Sequence, residues 1–270
     1  GIILDAKIIL KKIYSKNINQ ITIKTKNLKE TFEAFEKYKE KPYSVAWIDC
    51  LAKQDNIGKC ILMVGDFDDD GDLNYAKKNR LNIPFNFPSF VLNSLSVKLF
   101  NWFYYRKVIK LVSNKKVDLD TFFYPLDGIK NWNRIYGKNG FTQYQFILPL
   151  KTSYLGLEEI LKTISLSRKG SFLAVLKLYG KSNENYLSFP MEGYSLALDF
   201  KIEKGIFKLL DEIDQIVLKY KGRIYLSKDV RVSNETFEKG YPFIDKFRSL
   251  RIKFKMNKKF NSLQSTRVKI

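Results

Sequence analysis

Three short segments put polar side chains where apolar ones are expected. "GFTQYQFILPL" runs from Gly140 to Leu150, opens on a turn glycine, stops at Pro149 and reads as a strand. Side chains alternate faces along a strand, so Gln143 and Gln145 share one face, and Tyr144, Phe146 and Leu148 share the other. "SFLAVLKLYG" carries Lys177 in a run that is otherwise apolar from Phe172 to Tyr179. "RIYLSKDVR" (223–231) reads as a strand that carries Lys228, with Tyr225 on it. A lysine in an apolar strand either lies at an edge or faces an anion, because a buried, unpaired ammonium is costly. For a single lysine the edge is the simpler account, and a solvated face accounts for the glutamines. Two such lysines together with the glutamine pair point to a polar cavity.

Other chemistries find little support. The chain has no histidine, which excludes Ser-His-Asp catalysis, Cys-His catalysis and histidine metal sites within these residues. Cys50 and Cys60 lack CxxC spacing and read as free buried thiols. "DFDDDGD" places Asp66, Asp68, Asp70 and Gly71 in the order of a calcium loop. Lys77 then stands where the bidentate glutamate is required, so a solvated acidic loop is expected and no metal site.

The 270 residues are 45% hydrophobic and 15% aromatic, ample for a packed core. Lys plus Arg number 48 against 28 Asp plus Glu, a net charge of +20. That surplus suits an anionic partner, although a composition rich in Lys, Asn and Ile also accounts for it. Basic and aromatic residues interleave in "NWFYYRKVIK" and "FRSLRIKFKMNKKF". No nucleic-acid-binding signature accompanies them, so nucleic acid is not the expected partner, and peripheral contact with an anionic membrane surface fits better. No 18-residue apolar run predicts a transmembrane helix. Position 1 is Gly rather than Met, and the chain reads as a piece of a longer protein. Cytoplasmic or membrane-associated placement is expected, with targeting signals outside these residues.

Further strands are expected at 1–10, 18–25, 43–50, 60–67, 171–179 and 194–202. Asn27 and Glu30 have capping-box spacing before a helix to about residue 39. Residues 89–108 look helical and are aromatic on nearly every side, and another helix is expected at 155–168. At 206–220, Ile206, Leu209, Leu210, Ile213, Ile216, Val217 and Tyr220 form one apolar stripe, with Gly222 placed for a left-handed cap. A last helix from Ser233 is expected to bend near Gly240–Pro242. Pairs of strands between helices predict an α+β fold, with a mainly antiparallel sheet flanked by helices.

"YSVAWIDC", "FFYPLDGIKNWNRIYGKNGFTQYQFILP", "SFLAVLKLYG", "LSFPMEGYSLALDF", "GRIYLSKDVR" and "FNSLQSTRVKI" occur in an order and at spacings that resemble the C-terminal part of FAD-dependent oxidases of the vanillyl-alcohol oxidase type. The resemblance covers nearly the whole chain. It implies that residues 1–10 are the last strand of an FAD-binding domain whose earlier part, with the pyrophosphate loop, lies outside the chain. Residues 11–221 correspond to the substrate-binding domain and 222–270 to a segment returning to the FAD domain. Alone, these residues are expected to be inactive.

The same resemblance assigns roles. Gln145 and Gln143 face flavin and substrate, Lys177 and Trp47 line the substrate pocket, and Lys228 lies beside the flavin pyrimidine ring with Tyr225. Ser195 and Tyr124 occupy substrate-pocket positions. The family pattern has Asn and Cys where this chain has Ser195 and Ala197, and Tyr-His where it has Phe123 and Tyr124. The implied cofactor is FAD. The implied reaction removes a hydride from a secondary alcohol of a sugar, with Lys228 and Gln145 as the catalytic pair. The substrate expected is a polyprenyl-phosphate-linked pentose, and the keto-sugar product suits a short-chain reductase partner. Two rivals stay open: an aldonolactone or alditol oxidase of the same superfamily, and a non-enzymatic basic module that binds membrane or nucleic acid.

Overall fold

The computed structural model describes residues 3–76 and 81–270. The described residues form ten strands: β1 (Asn17–Thr25), β2 (Tyr43–Ile48), β3 (Cys60–Phe67), β4 (Leu81–Asn82), β5 (Val112–Asp118), β6 (Ile129–Lys130), β7 (Phe141–Pro149), β8 (Ala174–Tyr179), β9 (Gly193–Lys201) and β10 (Arg223–Ile224). Eight of them make one sheet in the order β10-β7-β9-β8-β2-β3-β1-β5, and β4 pairs with β6 separately. Every described pairing in the large sheet is antiparallel. The helices are α1 (Leu28–Lys37), α2 (Ser94–Lys107), α3 (Leu119–Phe123), α4 (Leu150–Ser167), α5 (Ile206–Lys219), α6 (Asn234–Gly240), α7 (Ile244–Lys253) and α8 (Leu263–Arg267). The fold is α+β, as the element order predicts.

One face of the sheet is sealed by α1, α4 and α5. Leu157, Ile160, Leu161 and Ile164 of α4 and Leu210, Ile213 and Val217 of α5 are buried against Tyr144, Phe146, Leu148, Leu196, Leu198 and Leu176 of the sheet. Each fully buried Leu or Ile contributes about 1.5–3 kcal/mol, so this layer fixes the register of the central strands. Residues 222–270 are part of the same core rather than a separate body. Ile224, Val232, Phe237, Tyr241, Ile244 and Val268 all join it. The Tyr144 hydroxyl donates to Asp214 on α5 at 2.7 Å, and Arg231 grips the same carboxylate through both terminal nitrogens, at 2.8 and 2.9 Å. That cluster pins the chain after β10 to the helical layer.

Several expectations need correction. Residues 3–10 pair with no strand, and Ile3, Leu4, Ile8, Ile9 and Leu10 stand exposed. An apolar segment needs a ladder partner to become a strand, and none of the described residues supplies one. The helix expected over 89–108 starts at Ser94, where Asn93 and Ser96 form a reciprocal capping box. The strand expected over 223–231 stops at Ile224. Leu226–Lys228 turns instead as one 3-10 turn, stabilised by the Asp229 side chain, which accepts from the backbone N–H of Arg231 and Val232. After α5 the left-handed residue is Lys221, not Gly222. Gly222 is required for another reason: a Cβ there would lie 2.4 Å from the Ile147 carbonyl oxygen. The helix expected to bend near Pro242 breaks in two, since proline removes a backbone donor there. In the acidic loop, Lys116 pairs with Asp68 and Asp70 and Lys16 with Asp72, while Lys77 lies outside the described residues.

The Asp214–Arg231 pair is buried, whereas Asp211, which also reaches Arg231, is 69% exposed on its side chain. Truncating the buried partner strands a buried guanidinium, and truncating the exposed one does not. Asp214→Ala is therefore expected to lose about 3–5 kcal/mol of stability and Asp211→Ala under about 1 kcal/mol, read from urea midpoints. Equal losses at the two positions would contradict the assignment.

Candidate active site

With Tyr144, Phe146 and Leu148 committed to the core, the period of two sends Gln143 and Gln145 to the opposite face of the sheet. Register carries that face across neighbouring strands. Gln145 pairs with Ala197, Ile147 with Ser195 and Gln143 with Asp199 on β9. Lys177 of β8 pairs with Ser195. Gln145 is 5% exposed, and its amide nitrogen donates to Ser195 Oγ at 3.0 Å and to the Tyr179 hydroxyl at 3.3 Å. Gln143 donates to Asp199 Oδ1 at 3.0 Å. The result is a polar strip of two amides, two hydroxyls and a carboxylate across three strands.

Two cations adjoin the strip. Desolvation lowers the Lys177 pKa below the usual lysine range, and the positive charge of Lys228 lowers it further. Burial raises the Asp199 carboxyl above its usual value, while its hydrogen bond from Gln143 and the charge of Lys228 pull the other way. Lys228 is thus within electrostatic reach of both, although it belongs to a different part of the chain. Among the described residues, neither the Lys177 nor the Lys228 ammonium has a side-chain hydrogen bond or ion pair.

The turn that presents Lys228 is held from three sides. The Tyr225 backbone N–H donates to the Gln145 carbonyl at 2.8 Å, which extends the β10–β7 ladder by one residue. The Tyr225 ring lies 4.4 Å from Phe189, which in turn meets Tyr179. From α8, Gln264 donates to the Leu226 carbonyl at 2.6 Å, and Arg267 pairs with Asp229 at 2.5 Å.

Gln143, Gln145, Lys177 and Ser195 thus share one face, the charge of Lys228 reaches Lys177 and Asp199, and Tyr225 is bonded to the Gln145 backbone. Trp47 and Tyr124 do not join the group. Trp47 shares the sheet face but is 6% exposed, with its indole N–H bonded to the Phe172 carbonyl at 3.0 Å and its ring packed on Tyr104 of α2. Tyr124 is 54% exposed, and its ring neighbour is Phe123, which packs on Tyr43 and Phe67 over the other half of the sheet. The sequence reading missed Tyr179 and Asp199. Both were within its means, since Tyr179 lies two residues from Lys177 and Asp199 four from Ser195, on the same face by alternation. Gln264 and Arg267 gave no such signal, because their role depends on where the chain end docks.

These electrostatics are testable without cofactor. Lys228→Gln removes a like charge from Lys177 and an opposite charge from Asp199, so both groups should titrate at higher pH. Site-resolved carbon NMR of the lysine Cε and aspartate Cγ signals reads this directly. Unmoved titrations at both residues would show that Lys228 does not belong to the group.

No protein-family model matches this chain. It is similar to decaprenylphosphoryl-beta-D-ribose oxidase of Mycolicibacterium smegmatis, with 34% identity over 218 residues, 77% of this chain and 47% of that protein. It is also similar to a protein of Streptomyces coelicolor described as an uncharacterized protein in the mprA 5′ region, with 40% identity over 78 residues, 28% of this chain and 21% of that protein. The chain thus spans under half the length of each of these relatives. The matched length takes in far more than one motif, so the similarity to that oxidase runs through most of this chain.

Proposed function

We propose that the chain is the substrate-binding part, with the returning C-terminal segment, of an FAD-dependent oxidase that acts on a secondary alcohol of a lipid-phosphate-linked pentose. The observation that carries the reading is a pair of ammoniums, Lys177 and Lys228, unpaired among the described residues and beside a largely buried amide and hydroxyl strip on the sheet face opposite α4 and α5. The residues present fit a flavin. A bound flavin supplies the hydride acceptor and gains negative charge as it does so, and an ammonium with no partner among the described residues suits that charge. Residues 11–221 form the substrate-binding domain in this reading, and 222–270 bring Lys228 to its edge. The relative's printed name supports the lipid-linked pentose over a free polyol.

Each residue then has a task set by its chemistry. Lys228, fixed by Gln264 and Arg267, stabilises charge that develops in the transition state. Gln145, oriented by Ser195 and Tyr179, and Lys177 hold sugar hydroxyls. Asp199 is the carboxylate of this face. Burial raises its affinity for a proton, which suits it to accept the hydroxyl proton. The keto-sugar product would be consumed by a carbonyl-reducing enzyme.

In the full-length gene product, Lys228→Ala is expected to lower kcat and kcat/KM together, by about 100- to 1000-fold. The substrate alcohol is neutral, so the ammonium gains little before charge appears. Lys177→Ala should mainly raise KM. Anaerobic single-turnover flavin reduction checks both, and a Lys228→Ala protein reduced at nearly the parent rate would contradict the catalytic role. Asp199→Asn should slow reduction and remove the part of its pH dependence in which the rate rises as the carboxyl ionises. An unchanged rate and profile would assign the proton to water.

A further inference from the structure

α2 is apolar on two opposite sides. Its inner side caps one end of the sheet. Val97 and Asn101 are 3% and 1% exposed, Asn101 donates to Asp49 Oδ1 at 2.6 Å, and the Tyr104 ring lies 4.9 Å from Trp47. On its outer side, spaced i, i+4, i+7 and i+8, Leu95, Leu99, Trp102 and Phe103 are 75%, 54%, 43% and 59% exposed. Arg106 continues that stripe, its guanidinium 4.4 Å from the Trp102 ring centre. Lys98 and Lys107 flank it, and Ile109 and Lys110 extend it past the helix end, all exposed.

The charges that α2 and its flanking segments carry have one sign. No acidic residue occurs between Asp72 and Asp118. Among the described residues, none of Lys98, Arg106, Lys107 and Lys110 pairs with a carboxylate. Protein–protein interfaces deplete lysine and balance their cations. A helix with an exposed Trp, Phe and Leu stripe between snorkelling cations suits the boundary between lipid headgroups and acyl chains. No helix of the described residues is long and apolar enough to cross a membrane, so such contact lies at the surface. We propose that the outer face of α2 docks on an anionic phospholipid bilayer. Through Tyr104 and Trp47 the docked helix adjoins the face that carries Lys177 and Gln145. A lipid-linked substrate could then reach that face with its tail still in the membrane. This last step rests on the oxidase reading, and the docking does not.

The test uses phosphatidylcholine vesicles with and without phosphatidylglycerol, read by sedimentation and by quenching of Trp102 with acyl-brominated lipid. Trp47 and Trp132 are replaced by Phe to isolate the signal. The protein should bind the vesicles that contain phosphatidylglycerol, with Trp102 quenched. Lys98→Gln, Lys107→Gln and Lys110→Gln together should weaken binding roughly 100-fold, from about fivefold per cation. Leu99→Ser with Phe103→Ser should weaken it at least about tenfold. Both sets are at exposed positions, and unchanged urea midpoints confirm that they fold. Lys37→Gln, Lys41→Gln and Lys151→Gln, at the other end of the sheet, should weaken binding far less. No binding, an unquenched Trp102, or equal loss from the two lysine sets would overturn the proposal and leave general charge attraction or a protein partner. Vesicle binding as expected, with no flavin reduction by the full-length gene product supplied with FAD and a lipid-linked pentose, would sink the oxidase reading alone.

Discussion

The organising constraint is the period of two in an antiparallel sheet that has one face sealed. α4 and α5 commit Tyr144, Phe146, Leu196 and Leu198 to the core. Their neighbours Gln143, Gln145, Ser195, Ala197 and Asp199 then have no choice of direction. A slip of one residue in β7 would bury two amides under α4 and expel three large side chains, at a cost of several kcal/mol. The polar strip is thus held in place by the packing behind it. Gln145 illustrates the point: its backbone carbonyl holds Tyr225, while its side chain holds Ser195 and Tyr179.

The second requirement is to bring a cation from a distant part of the chain to that strip. A strand through Lys228 would have aimed its side chain by alternation alone. The turn aims it by a set of hydrogen bonds, in which Asp229 caps the following backbone and α8 clasps the turn from outside. The Tyr144–Asp214–Arg231 cluster ties the next residues to α5, so one helical layer positions both the amides and the lysine turn. The charge of Lys228 disfavours the Lys177 cation, and an anion placed between the two would offset that.

Much of this was legible in the sequence. Alternation in "QYQF" and the apolar stripe of 206–219 carried the fold class and the face of the glutamines, because both patterns reflect burial, which is local in its period. The turn at Leu226–Lys228 was not legible. "RIYLSK" has strand composition, and its pairing is ended by Asp229 and α8, which are non-local. Tyr124 and Trp47 were expected in the pocket, yet Trp47 is taken up by α2 and Tyr124 lies over the far half of the sheet. The helix that covers Trp47 read only as aromatic on every side. Its two faces became distinct once Asn101 was seen to bond Asp49 at the sheet end.

The most direct test of the central claim is a crystal structure of the full-length gene product with FAD bound. The account predicts the flavin ring over the β7–β9–β8 face, with the Lys228 ammonium within hydrogen-bonding distance of its pyrimidine edge and Gln145 facing the same space. A ring bound elsewhere, with Lys228 and Lys177 left in open solvent, would contradict it.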